Sequence, residues 1–96
     1  MDIKTVGVVG AGQMGNGIAQ VCAAAGYDVV MRDIDRKFTD KGMATITRSL
    51  DKLVSKEKIG AEDKDAILGR ITTCTEMEGL RDCDFVVEAI PERIEM

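Results

Sequence analysis

Three glycines, Gly10, Gly12 and Gly15, sit between the apolar run Val6-Gly-Val-Val9 and a stretch of helical character. A second apolar run, Asp28 to Arg32, ends beside Asp33, 18 residues after the last of those glycines. A chain spaced in this way has few options. It predicts a buried strand, a tight turn, a helix and a second parallel strand, the β-α-β unit that cradles a dinucleotide. Gly10 permits the strand-to-helix turn, Gly12 lets backbone approach a pyrophosphate, and Gly15 lets the helix lie close on the sheet. The unpaired N–H groups of the first helical turn, with the helix dipole, then face phosphate oxygens.

The helix is expected to bury one stripe, Met14, Ile18, Val21, Cys22 and Ala25, and to end at Gly26. Asp33, at the carboxyl end of the second strand, is placed to accept hydrogen bonds from the adenosine ribose hydroxyls, and its charge opposes a 2′-phosphate. This favours NAD over NADP. Arg32 precedes the acid and is expected to point to the opposite face of the strand. A methyltransferase loop would need a glycine at position 14, which is Met14, and a phosphate-binding Walker loop would need an absent Gly-Lys-Ser/Thr. The turn alone leaves an FAD site open.

At 96 residues the chain is one domain at most, able to bury roughly 65% of its unfolded surface. Thirteen basic against seventeen acidic side chains, interspersed to a net charge of −4, argue against a nucleic-acid surface. So do the three aromatics, Tyr27, Phe38 and Phe85. No apolar run of spanning length and no signal-peptide pattern occur, which favours no membrane association and a cytoplasmic location. Cys22, Cys74 and Cys83 are odd in number and lack C-x-x-C spacing. Each is expected to be a small buried hydrophobe and none a metal ligand.

After Asp33 the pattern predicts a long helix capped by Asp35. Phe38, Met43, Ile46, Leu50, Leu53 and Val54 form its apolar face, and it runs to Lys58 with Gly60 as its stop, roughly 34 Å in all. A short helix from Glu62 to Leu68 follows, making a helix pair that projects from the sheet. Ile71–Cys74 is expected to be a strand, Glu76–Arg81 a brief helix, and Phe85–Ile90 a fourth strand covered on both faces. The strand order 3-2-1-4 brings Ala89 and Ile90 to the cofactor crevice. Pro91 suits the start of another helix. Glu88 reads as a hydrogen-bonded structural group. Glu92 emerges where the nicotinamide half of the cofactor would lie. The candidate cofactor set is thus Gly10, Ala11, Gly12, Gln13, Met14, Gly15, Asp33, Ala89, Ile90 and Glu92. The fold class is α/β, a Rossmann-type doubly wound parallel sheet that is incomplete, since a whole one has the order 3-2-1-4-5-6. The chain ends in what reads as a first helical turn, so residues 1–96 are expected to be the N-terminal part of an NAD-binding domain.

Val9-Gly-Ala-Gly-Gln-Met-Gly-Asn-Gly-Ile-Ala-Gln, Ala25-Gly-Tyr-Asp-Val-Val-Met-Arg-Asp33 and Val86-Val-Glu-Ala-Ile-Pro-Glu92 resemble the N-terminal part of the 3-hydroxyacyl-CoA dehydrogenases, the microbial 3-hydroxybutyryl-CoA enzymes above all. The resemblance implies oxidation of an L-3-hydroxyacyl-CoA to the 3-ketoacyl-CoA, or the reverse, with NAD as cofactor and an acyl-CoA as substrate. It also implies contacts from Ser49 and Lys56 to the CoA portion, and self-association through a C-terminal helical domain. The family's base is a histidine, of which this chain has none. No catalytic residue is therefore assigned here, and the chain alone is expected to be inactive. Two other readings remain: a stand-alone NAD(H)-sensing module, and the first half of another hydroxyacid dehydrogenase.

Overall fold

The computed structural model describes residues 3–89. Four strands form one parallel sheet: β1 (Thr5–Val9), β2 (Asp28–Arg32), β3 (Ile71–Cys74) and β4 (Phe85–Glu88), in the order β3-β2-β1-β4. Three helices connect them: α1 (Gln13–Ala24), α2 (Arg36–Ser55) and α3 (Ala61–Gly69). A single 3₁₀ turn, Met77–Leu80, precedes β4. The registers place Phe85, Val6, Val29 and Ile71, one apolar residue from each strand, in line, and Val87, Val8 and Met31 in a second line that ends on Thr73. The predicted order and the ends of β2 and β3 are reproduced.

The core lies between the sheet and the helices. Val8, Val29, Met31, Ile46 and Leu50 are wholly buried there with Ala19 and Ala23. Each of the larger side chains contributes about 1.5–3 kcal/mol by leaving water. The expected stripe of α1 is corrected. Its buried residues are Gly15, Asn16, Ala19 and Ala23, whereas Val21 is 68% and Met14 55% exposed and Ala25 also faces out. A helix seated this close to a sheet has room only for small side chains on its contact face. Of the expected stripe, Ile18 and Cys22 do pack, half-buried, against the core, and a search for large apolar residues misses the small ones at its centre. The end of α1 is as expected, with Gly26 N–H donating to Ala23 and Tyr27 N–H to Cys22.

In α2 the buried line is Thr39, Gly42, Ile46 and Leu50; Phe38, expected in the core, is turned outward. Asp35 caps the helix by accepting from Lys37 N–H at 3.0 Å. The helix stops three residues before the predicted Lys58. Glu57 takes a left-handed conformation, φ 58°, and Glu57 and Lys58 N–H donate back to Val54 and Leu53. Gly60 instead opens α3, its N–H donating to Asp63 at 2.9 Å. A side chain at the left-handed position is costly, so Glu57→Gly is expected to raise unfolding stability by about 0.5–1 kcal/mol. Urea denaturation of the two proteins checks this, and a loss of stability would contradict it.

Both helices pack on α1, and Lys64 and Asp51 pair across the α2–α3 turn. The brief helix before β4 is one 3₁₀ turn, with Leu80 buried against Gly7. β4 is not covered on both faces as expected: Phe85 is 53% and Val86 45% exposed on an edge strand. Glu88 is likewise exposed and has no hydrogen-bonding partner for its carboxylate among the described residues. Asp84 ties β4 to the start of β1, accepting from Lys4 and Thr5 N–H at 2.9 and 3.0 Å, and these two bonds hold its carboxyl below the usual carboxylate range. The three cysteines are free but only half-buried, a further departure from expectation. Burial pushes the Cys74 and Cys83 thiols up, away from the reactive thiolate.

Candidate functional site

Where the carboxyl ends of β1 and β2 meet the start of α1, the chain leaves a cavity of about 790 Å³, within the range of small-molecule sites. Its floor is the turn Val9-Gly10-Ala11-Gly12-Gln13. Gly10 has φ 109°, open only to glycine without strain, and its N–H donates to the Arg32 carbonyl at 2.7 Å, fastening the turn to the end of β2. Gly15 lies directly beneath: a Cβ there would stand 1.7 Å from the Gly10 carbonyl oxygen. This contact seats the first turn of α1 against the loop.

The start of α1 carries no side-chain cap and no acid in its first turn. The N–H groups of Gly12, Gln13, Met14 and Gly15 thus have no partner within the helix, and space opens around Gly12, where a Cβ would meet nothing within 4 Å. Partial positive charge with free donors and no bulk above them is what a diphosphate needs. Asn16, buried at the same end, donates from Nδ2 to the Gly12 carbonyl at 2.8 Å and holds that carbonyl inward.

Asp33 stands at the rim of the cavity just past β2. One carboxylate oxygen accepts from Ala11 N–H at 2.8 Å and the other from Ile34 N–H at 2.7 Å. An ionised carboxylate has about four acceptor positions, so capacity for two vicinal hydroxyls remains. The far wall is α2. Phe38, Lys41, Gly42 and Thr45 recur at helical spacing along the line facing the loop, and Ile34 and Phe38 supply exposed apolar surface beside Asp33. Gly42 allows this closeness, since a Cβ there would come within 2.8 Å of the Ala11 carbonyl.

Six of the predicted cofactor residues come together in this cavity: Gly10, Ala11, Gly12, Gln13, Asp33 and Ala89. Gly15 supports it from below. Met14 lies outside its lining, exposed on α1. Ile90 and Glu92 fall outside the described residues. Arg32, expected to face away from Asp33, borders the same cavity, its carbonyl accepting from Gly10 N–H while its Nε donates to the Thr75 carbonyl at 3.0 Å, just past β3. Ser49 is half-buried, its hydroxyl accepting from Gln20 Nε2 at 3.0 Å. Lys56 is exposed at the end of α2, eleven residues or about 16 Å along the helix from Thr45. The α2 wall was missed from sequence. Its only signal was Phe38 and Gly42 interrupting an otherwise polar stretch.

Among the described residues, no three potential metal ligands cluster and no helix is long and apolar enough to cross a membrane. Residues 5–96 match the family described as 3-hydroxyacyl-CoA dehydrogenase, NAD binding domain. A 3-hydroxybutyryl-CoA dehydrogenase of Bradyrhizobium diazoefficiens is 48% identical over 94 residues, which are 98% of this chain and 32% of that protein. A probable 3-hydroxybutyryl-CoA dehydrogenase of Deinococcus radiodurans is 50% identical over 86 residues, 90% of this chain and 31% of that protein. The crystal structure of (S)-3-hydroxybutyryl-CoA dehydrogenase from Ralstonia eutropha superposes with a TM-score of 0.94 at 49% identity, covering 97% of this chain and 33% of that one. The chain thus spans about a third of the length of the relatives it matches.

Proposed function

The chain belongs to the 3-hydroxyacyl-CoA dehydrogenase family through its NAD-binding domain, and from that premise we propose that it is the cofactor-holding part of an enzyme interconverting L-3-hydroxyacyl-CoA and 3-ketoacyl-CoA. We assign 3-hydroxybutyryl-CoA as the substrate, on the likeness to relatives of that name. The observation that carries the reading is the convergence of the glycine loop, Asp33 and Ala89 on one cavity.

The residues fit NAD. The N–H groups from Gly12 to Gly15 would hold the pyrophosphate, Asp33 would accept from the ribose hydroxyls, and Ile34 and Phe38 would flank the adenine. When bound, NAD supplies the hydride acceptor or donor. The chain's own groups bind and orient; with no histidine it offers no group of ordinary pKa near 7 for the proton on the substrate oxygen. Ile90 and Glu92, outside the described residues, are assigned to the nicotinamide half from the sequence alone.

Ser49 and Lys56 take the CoA end. Both lie beyond the cofactor cavity along α2, which suits a long substrate handle laid against that helix. A lysine serves CoA phosphates as a mobile point charge. In the full-length protein, Lys56→Ala is expected to raise the KM for acetoacetyl-CoA about tenfold while leaving NADH affinity intact, since a charged hydrogen bond contributes on the order of 1.5 kcal/mol or more. Ser49→Ala should do less, because its hydroxyl already engages Gln20. An unchanged KM in both variants would reduce α2 to a solvated face. The same reading places the enzyme in the cytosol and its self-association on a helical domain other than these residues.

A further inference from the structure

Asn16 is one of two buried polar side chains among the described residues, and the other, Thr39, only donates back to its own helix at the Arg36 carbonyl. It lies one turn into α1, where asparagine is a poor helix former. Its Nδ2 donates to the Gly12 carbonyl at 2.8 Å and reaches the Ala11 carbonyl at 3.4 Å. Satisfying a carbonyl does not account for the amide, because Gly12 already accepts from Asn16 N–H at 2.8 Å. Other polar groups of the loop are held elsewhere, Gly10 N–H by the Arg32 carbonyl and Ala11 N–H by Asp33. Left without a protein acceptor among the described residues are the N–H groups of Gly12 and Gln13.

In a trans peptide the C=O and N–H groups point in opposite directions, so a fixed carbonyl fixes the N–H of the next residue. Holding the Ala11 and Gly12 carbonyls inward therefore aims the Gly12 and Gln13 N–H groups out into the cavity. Gly12 is where this arrangement is loosest. A Cβ there would touch nothing, so no packing holds the residue, and glycine exchanges readily between backbone conformations. We propose that Asn16 is a positioning residue for the cofactor: its amide bridges two successive carbonyls as a latch against peptide flipping, so that both N–H groups meet a diphosphate without reorganising. The inference rests on the cavity being the NAD site.

The test titrates NADH and adenosine against the full-length wild type, Asn16→Ala and Asn16→Ser. Adenosine carries the base and ribose but no phosphate, so it reads Asp33 and the α2 wall and not the latched N–H groups. Asn16→Ala is expected to weaken NADH about tenfold and to leave adenosine unchanged, a contrast that general loosening of the fold would not produce. Asn16→Ser should recover most of the loss, since a serine hydroxyl can donate to the carbonyl four residues back, here that of Gly12. Unchanged NADH affinity in a folded Asn16→Ala, an equal loss for adenosine, or a serine variant as weak as alanine would overturn the latch. Should Asn16→Ala fail to fold, Asn16→Leu, which keeps the volume and removes the donor without adding charge, decides by the same contrast. A wild type that binds neither ligand would instead overturn the cavity assignment itself.

Discussion

Gly15→Ala is expected to abolish NADH binding and to lower stability by about 3 kcal/mol or more, the upper end of what overpacking costs. The methyl group would stand 1.7 Å from the Gly10 carbonyl oxygen and 2.6 Å from its carbon. Both are backbone atoms, so no side-chain rotation relieves the contact. Gly10 cannot shift in response, since its φ of 109° and its bond to the Arg32 carbonyl define the turn. The helix must lift from the loop, which disperses the four N–H groups that a diphosphate uses. Gly17→Ala is the control. A Cβ there meets nothing within 4 Å, and alanine is the better helix former, so stability should rise by up to about 1 kcal/mol. Urea denaturation and NADH titration of both variants read the contrast. Equal behaviour of the two would show that α1 is not seated on Gly10.

Asp33→Ser should weaken NADH tenfold to about a hundredfold, from the loss of charged hydrogen bonds contributing roughly 1.5–3 kcal/mol. The structure moves the expectation to the upper end. The carboxylate has two roles in the proposed site: it accepts from Ala11 N–H at 2.8 Å, stiffening the glycine loop, and it would accept from the ribose hydroxyls. Serine is too short to do both. Fluorescence titration of NADH and NADPH in the full-length protein checks this, and a wild type preferring NADPH would remove Asp33 from its assigned role.

Local spacing carried much of this protein. The glycines at 10, 12 and 15, the two apolar runs and Asp33 determined the β-α-β unit and pointed to the cofactor, because the turn and its helix are set by residues near one another in sequence, and the strand order followed from the right-handed crossovers of a doubly wound sheet. Asp35 and Gly26 likewise marked helix ends through local hydrogen bonds. What sequence misassigned was direction. Val21 and Phe38 read as core, yet one faces out and the other walls the cavity. How closely a helix approaches its sheet decides whether a large or a small side chain fits between them, and that distance is fixed here by Gly15 on Gly10 and Gly42 on Ala11. The α2 wall of the cavity is likewise tertiary: Phe38, Lys41, Gly42 and Thr45 border the glycine loop only because α2 packs back across it with Gly42 against Ala11, a juxtaposition that no periodicity in either element encodes.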